Sequence, residues 1–150
     1  MINRIAHWIA TCGPVGHFKF APGTFGSVIG LIFVLTINHH PAVFAVFLFV
    51  FLSAGIWSSS VVSHTSGIHD PAHVVIDEVC GILMSFWGIP IGYWTVLLGF
   101  IGFRFFDILK PPPIRWFERF PGGYGIVLDD VAAGIYTNLI LQVLIRYAHL

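Results

Sequence analysis

The sequence predicts an all-α fold, a compact membrane-embedded helical bundle with short and partly re-entrant helices. Three observations carry that reading. Of 150 residues, 57% are hydrophobic and 9% charged, against roughly 25% charged in an ordinary soluble domain. Lys19 and Asp70 enclose fifty residues without a single Asp, Glu, Lys or Arg, and Val79–Phe103 and Val131–Ile145 are charge-free as well. Strand alternation is absent, and in lipid only helices and closed barrels satisfy their own backbone polar groups. The mean hydropathy of +0.87 and the 15 phenylalanines represent more apolar surface than a chain of this length can bury within itself.

Turn signals divide the apolar stretches. Asn38-His39-His40-Pro41 separates Gly26–Ile37 from Ala42–Trp57, and Gly88-Ile89-Pro90 interrupts Val79–Phe103, so five short segments are expected. At helical rise each is shorter than the ~30 Å core of a bilayer, unless uncharged flanks such as Ser58–Ser63 lengthen it. Pro111-Pro112-Pro113 stops a helix and is not a linker, so residues 1–150 are read as one domain. Read as a hairpin about Gly88–Pro90, the chain returns Arg104 and Asp107 to the face that holds Asp77 and Glu78. Read as one kinked span, it would part them by ~37 Å. In the hairpin arrangement Lys19, Arg104, Lys110, Arg115 and Arg119 share that face, which the positive-inside tendency makes cytoplasmic. Residues 1–14 lack the uninterrupted apolar run of a cleaved leader, and none is expected.

Seven Lys and Arg balance seven Asp and Glu, so no excess of basic charge exists to hold a nucleic-acid backbone. Cys12 and Cys80 are too few for a disulfide framework and lack zinc-site spacing. A cysteine phosphatase is excluded as well, because Phe18 stands where its loop requires Arg. No feature specifies an oligomeric state.

Chemistry is concentrated in three acidic clusters at the ends of apolar segments: Asp77-Glu78, Asp107 and Asp129-Asp130. Acids in a membrane helix are costly, and such residues are usually paired or functional. Set against Arg104 and Lys110, the five leave a formal charge of −3, so convergence demands either raised pKa values or a bound cation. Mg²⁺ is hard and oxygen-seeking and suits carboxylates together with phosphate oxygens; two ions would suit a dianionic phosphate better than one. The structural alternative is helix capping, since Asp77, Glu78, Asp129 and Asp130 all fit first turns. Gly81 and Ala133-Gly134, one turn below the acids, permit close helix approach. Ala21–Ser27, with Gly23, Thr24, Gly26 and Ser27, can form a turn whose N–H groups and hydroxyls cradle an anion, although an N-cap at Thr24 or Ser27 is the simpler reading. It is not a P-loop, because no Gly-Lys-Ser/Thr follows. Arg104 either pairs with Asp107 at i, i+3 or binds phosphate, and Lys110 either closes its helix or does the same. His64, His69 and His73 read as loop or interfacial residues.

The segments APGTFGS (21–27), VVIDEVCG (74–81), GFRFFDILKPPPI (102–114) and GGYGIVLDD with AAG (122–134) together resemble the motif series of the phosphatidylglycerophosphatase A family, in order and over most of the chain. The resemblance implies an Mg²⁺-dependent, multi-pass phosphatase of the bacterial inner membrane. Such an enzyme converts phosphatidylglycerophosphate to phosphatidylglycerol, with membrane lipids as its surroundings. It makes Asp77, Glu78, Asp107, Asp129 and Asp130 the acidic, metal-binding and catalytic set, with Arg104, Lys110 and the Gly23–Ser27 turn beside the phosphate. The stretch Cys12–His17 is less Gly-rich than the family pattern. A small cation transporter or channel using the same acids is the competing reading. A CDP-alcohol phosphotransferase and a histidine-dependent lipid phosphatase are disfavoured, because their signatures do not occur. Asp129→Asn and Asp130→Asn are each expected to abolish phosphate release while leaving the protein folded in detergent; full activity in both variants breaks the assignment.

Overall fold

The computed structural model describes residues 1–148. Among the described residues the chain is helical without strands: α1 (Ile2–Ala10), a 3₁₀ turn (Val15–His17), α2 (Pro22–Ile37), α3 (Pro41–Ser66), α4 (Ile76–Ser85), α5 (Tyr93–Leu109), α6 (Ile114–Phe117) and α7 (Gly123–Ala148). Proline opens α2 and α3 at their first positions, where its missing N–H costs no hydrogen bond. Gly67, in the left-handed region at φ 69°, ends α3. The Gly92 N–H donates to Thr95 Oγ1 at 2.8 Å at the start of α5.

Five segments of similar length were expected, and most boundaries differ: α4 begins at Ile76 and α5 runs on to Leu109. The serine-rich flank beyond Trp57 stays helical, so α3 has 26 residues. Its hydroxyls donate back to helix carbonyls, Ser58 to Gly55 and Thr65 to Val61, which keeps polar residues compatible with an apolar helix. α2 begins at Pro22, four residues before the predicted segment. α7 begins at Gly123, with its first N–H donated to Ser60 Oγ on α3 at 2.8 Å.

α4 is the centre of the bundle. Eight of its ten residues are buried, and it packs chiefly against α7 and α2, with α3 and α5 completing its surround. Too short to cross a bilayer at ~15 Å, it is sealed at its inner end by Asn138 of α7, whose Nδ2 donates to the carbonyls of Ser85 at 3.0 Å and Trp87 at 2.9 Å. Those carbonyls would otherwise be unsatisfied helix-end acceptors. The expected small residues set the α4–α7 distance: a Cβ on Gly134 would collide with the Gly81 carbonyl, and one on Gly81 would meet Phe103 and the Asp130 carbonyl.

The chain reverses at Gly88–Pro90, as the hairpin reading required, so α4 and α5 run antiparallel. One rim of the bundle therefore gathers the starts of α2, α4 and α7 and the ends of α3 and α5, along with α1 and α6. The opposite rim holds Asn38, Trp87–Pro90 and Arg146. Among the described residues two helices, α3 and α7, are long and apolar enough to cross a membrane. α3 leaves most of its apolar length uncovered by the rest of the bundle, unlike the mostly buried core helix of a soluble protein. Ile32, Phe49, Leu97, Ile101, Leu139 and Val143 are exposed on four different helices, an outer surface suited to lipid. Gly134→Val is expected to cost about 1–3 kcal/mol by overpacking, read as a lower melting temperature in detergent; an unchanged melting curve would show that the α4–α7 contact tolerates widening.

Candidate active site

Each acid reaches the rim by a different local route. Asp77 and Glu78 occupy the first turn of α4, where the helix dipole favours negative charge. Asp129 and Asp130 do not open a helix as expected: they lie in the second turn of α7, both only 3% exposed. Capping therefore does not account for them. Asp107 sits near the end of α5, three residues after Arg104. All five carboxylates meet at one rim, drawn from α4, α5 and α7.

Three converge most closely. One oxygen from each of Asp77, Glu78 and Asp130 lies within 4.8 Å of the others. Buried oxygens of Asp77 (Oδ1), Glu78 (Oε2), Asp129 (Oδ1) and Asp130 (Oδ2) have no hydrogen-bond partner, although buried polar atoms are nearly always partnered. A set of unpartnered carboxylate oxygens facing one another fits a hard divalent cation. Among the described residues, Asp77, Glu78 and Asp130 are the trio so gathered.

The two cations are each tied to an acid. Arg104 Nη1 lies 2.7 Å from Asp107 Oδ2 and 3.9 Å from Glu78 Oε1, and donates to Ser27 Oγ at 3.3 Å. It thus joins α5 to α4 and to the start of α2. Lys110 ends α5 in the left-handed region at φ 44°. Its ammonium does not close the helix but reaches Asp129 Oδ2 at 2.5 Å and Glu118 Oε1 at 2.8 Å. Burial alone would lower the Lys110 pKa, but the charge of Asp129 and the hydrogen bonds to Asp129 and Glu118 outweigh it and hold the ammonium protonated well above its usual range.

The Gly23–Ser27 segment differs in form from the expected turn. Helix α2 has Ala21 as its N-cap, in the left-handed region and without a side-chain cap bond, so neither Thr24 nor Ser27 caps it. Ser27 Oγ donates to the Gly23 carbonyl inside the helix. The glycines serve close approach: a Cβ on Gly23 would strike the Glu78 carboxylate, and one on Gly26 would lie 2.8 Å from the Val75 carbonyl. The positive end of the α2 dipole consequently faces Glu78 and Arg104.

Sequence reading missed Glu118 as the second partner of Lys110, and Asp70, which with His69, Glu118 and Asp129 lines a 190 Å³ cavity beside the acids. Their only signal was proximity to the other charges along the chain. Both cysteines are free, as expected. Burial, followed by the charges of Asp77 and Glu78, pushes the Cys12 thiol up to about 12, so it supplies no thiolate nucleophile.

Fold and rim together define an all-helical membrane protein with a carboxylate-rich, cation-accommodating site at one end. The family model of phosphatidylglycerophosphatase A matches residues 8–145, and the chain belongs to that family of phosphoric monoester hydrolases. It is 38% identical to phosphatidylglycerophosphatase A of Haemophilus influenzae (94% of this chain, 88% of the relative) and 32% identical to that of Escherichia coli (90% and 80%). It is also 36% identical to a Bacteroides thetaiotaomicron protein named as a candidate phosphatidylinositol-3-phosphatase (85% and 86%). No solved structure matches the chain. Membership in a hydrolase family stands against the cation-transporter reading.

Removing the Lys110 charge leaves Asp129 buried without its counterion. Lys110→Met is expected to lower stability by roughly 2–4 kcal/mol, and Lys110→Met/Asp129→Asn to recover part of the loss. A double variant no more stable than Lys110→Met would show that the pair is not coupled.

Proposed function

We propose that this protein hydrolyses the terminal phosphomonoester of phosphatidylglycerophosphate, releasing phosphatidylglycerol and inorganic phosphate, and that it requires Mg²⁺. One observation carries the reading: five carboxylates, two cations and the start of α2 converge on a single rim of an apolar bundle. In this assignment Asp77, Glu78 and Asp130 hold the metal ion. Arg104, Lys110 and the Gly23, Thr24, Gly26 and Ser27 segment face the phosphate oxygens. Asp107 and Asp129 act through the cations, fixing Arg104 and Lys110 in place. A bound Mg²⁺ neutralises phosphate charge and acidifies a coordinated water. The close trio of carboxylates supports at least one ion.

In the reaction a water oxygen forms the new bond to phosphorus as the bond to the glycerol oxygen breaks. A carboxylate of the cluster accepts one proton of the attacking water, and that proton passes to the departing glycerol oxygen, which leaves the carboxylate as it began. The two cations orient the phosphomonoester, and their charge offsets the negative charge that builds on its oxygens.

The rim also supports a topology. Lys19, Arg104, Lys110, Arg115 and Arg119 belong to it, and Arg146 lies on the last turn of α7. By the positive-inside tendency the active rim faces the cytoplasm, with residues 1–150 forming one multi-pass domain in the bacterial inner membrane. The lipid headgroup then meets the site at the interface while its acyl chains stay beside the bundle.

The Bacteroides relative's name makes a phosphoinositide monoester the competing substrate. In mixed micelles, phosphate release from phosphatidylglycerophosphate is expected to stop with EDTA and to return with Mg²⁺, with at least one ion bound per chain by plasma emission analysis. Faster release from phosphatidylinositol 3-phosphate would transfer the assignment to that lipid, and EDTA-resistant turnover would remove the metal.

A further inference from the structure

An apolar groove of 420 Å³ runs along the lipid-facing side of the bundle, with Ile29 and Phe33 of α2 on one wall and Phe51 and Ala54 of α3 on the other. It exists because α2 packs chiefly on α4, and α3 on α1 and α7, which leaves a gap between α2 and α3. At the end farther from the acids the rings of Phe33 and Phe51 meet across that gap, with centres 5.0 Å apart. At the nearer end the lining includes Ile76, which is buried and immediately precedes Asp77 in the chain. Trp8 of α1 borders the groove at the rim.

The groove and the acids are joined through α2. Gly26, where a Cβ would lie 3.4 Å from Glu78 Oε2, shares one stripe of the helix with Ile29 and Phe33 at i, i+3 and i+7. From Gly26 to Phe33 the helix descends ~10 Å, so the groove drops from the level of the carboxylates toward the bilayer interior. The level of the membrane surface is marked by α1. Its Ile2, Ile5 and Trp8, at i, i+3 and i+6, are exposed on one face near Arg4, the pattern of a helix lying in the interface, where Trp is favoured.

We infer that this groove seats the glycerol-proximal part of one acyl chain of the lipid whose phosphomonoester is cleaved at the rim, an inference that rests on the lipid-phosphatase reading above. Three features fix the occupant. Among the described residues no charged or hydroxyl-bearing side chain lines the groove, so it takes hydrocarbon. Val50 on its edge is exposed, which opens the groove sideways to the bilayer and lets a chain enter laterally. Ile76 at its upper end adjoins Asp77, so a chain seated there hangs from a headgroup placed at the carboxylates. Lipid tails are as apolar as the groove, and seating one gains by contact and orientation, not by leaving water. The consequence is positional: a chain held beneath Ile76 sets the depth at which the phosphate meets the acids.

The test uses full-length protein in phosphatidylcholine bilayers and a phosphatidylglycerophosphate with a diazirine in the glycerol-proximal part of one acyl chain. After irradiation, mass spectrometry is expected to find the label on Phe33, Phe51 and their neighbours in the groove, suppressed by excess unlabelled phosphatidylglycerophosphate. Ala54→Trp, which fills the groove, should remove that labelling and lower kcat/KM for the dioleoyl substrate about 10-fold or more. The loss should be smaller for a dibutanoyl substrate, whose tails end above Phe33. Leu97→Trp, on the outer face of α5, should change neither labelling nor turnover. Labelling spread evenly over the lipid-facing helices would show ordinary bilayer contact and overturn the seat. So would equal losses on the two substrates, or a dimer in detergent that Val50→Trp dissociates, which would give the groove to a second copy of the chain. If Ala54→Trp does not fold, the labelling pattern of the unaltered protein decides. Groove labelling without phosphate release from either substrate would overturn the phosphatase reading and uphold the lipid seat.

Discussion

The structure depends on the cost of holding carboxylates together against an apolar interior. Each acid loses hydration on burial and repels the others, and both effects disfavour the charged form. The rim offsets this with fixed positive charge: Arg104 against Asp107 and Glu78, Lys110 against Asp129, and the starts of α2 and α4 directed at the acids. What remains is a group of unpartnered oxygens on Asp77, Glu78, Asp129 and Asp130. That residual negative charge is the chemical basis for a cation and a phosphate ester at this rim.

Helix packing is the means by which the charges are brought so close. Gly23 and Gly26 let the Glu78 carboxylate lie against α2, and Gly81 and Gly134 let α4 and α7 touch through backbone. A side chain at any of these positions would move an acid or separate the helices that carry them. The short α4 acts as the central post. Its outer end carries Asp77 and Glu78, and its inner end is closed by Asn138 from α7, the helix that also supplies Asp129 and Asp130. Distances within the site are thereby tied to the packing of the whole bundle.

The outer surface complements this arrangement. α3 exposes most of an apolar face, and the exposed large hydrophobic residues continue across α2, α5 and α7. A polar rim on an apolar bundle suits a substrate whose reactive group is hydrophilic and whose remainder is lipid. Headgroup chemistry can then proceed at the interface without the acyl chains leaving their own phase.

The all-helical class, the break at Gly88–Pro90 and the acids themselves were legible in the linear chain, because lipid solvation forbids unpaired backbone and makes every buried charge conspicuous; that the break is a hairpin and not a kink was decided by the packed bundle. The close approaches at Gly81 and Gly134 were legible for the same reason. Helix starts were not: Ala21 caps α2 through backbone geometry alone, and α7 reaches back to Gly123 because Ser60 on another helix accepts its first N–H. The i, i+3 spacing offered the Arg104–Asp107 pair, but spacing did not reveal that Asp129 is paired with Lys110 while Asp77, Glu78 and Asp130 face one another. Residue type and order determine which groups are costly to bury; which of them neutralise each other is decided by distances across helices, and those exist only once the bundle has packed.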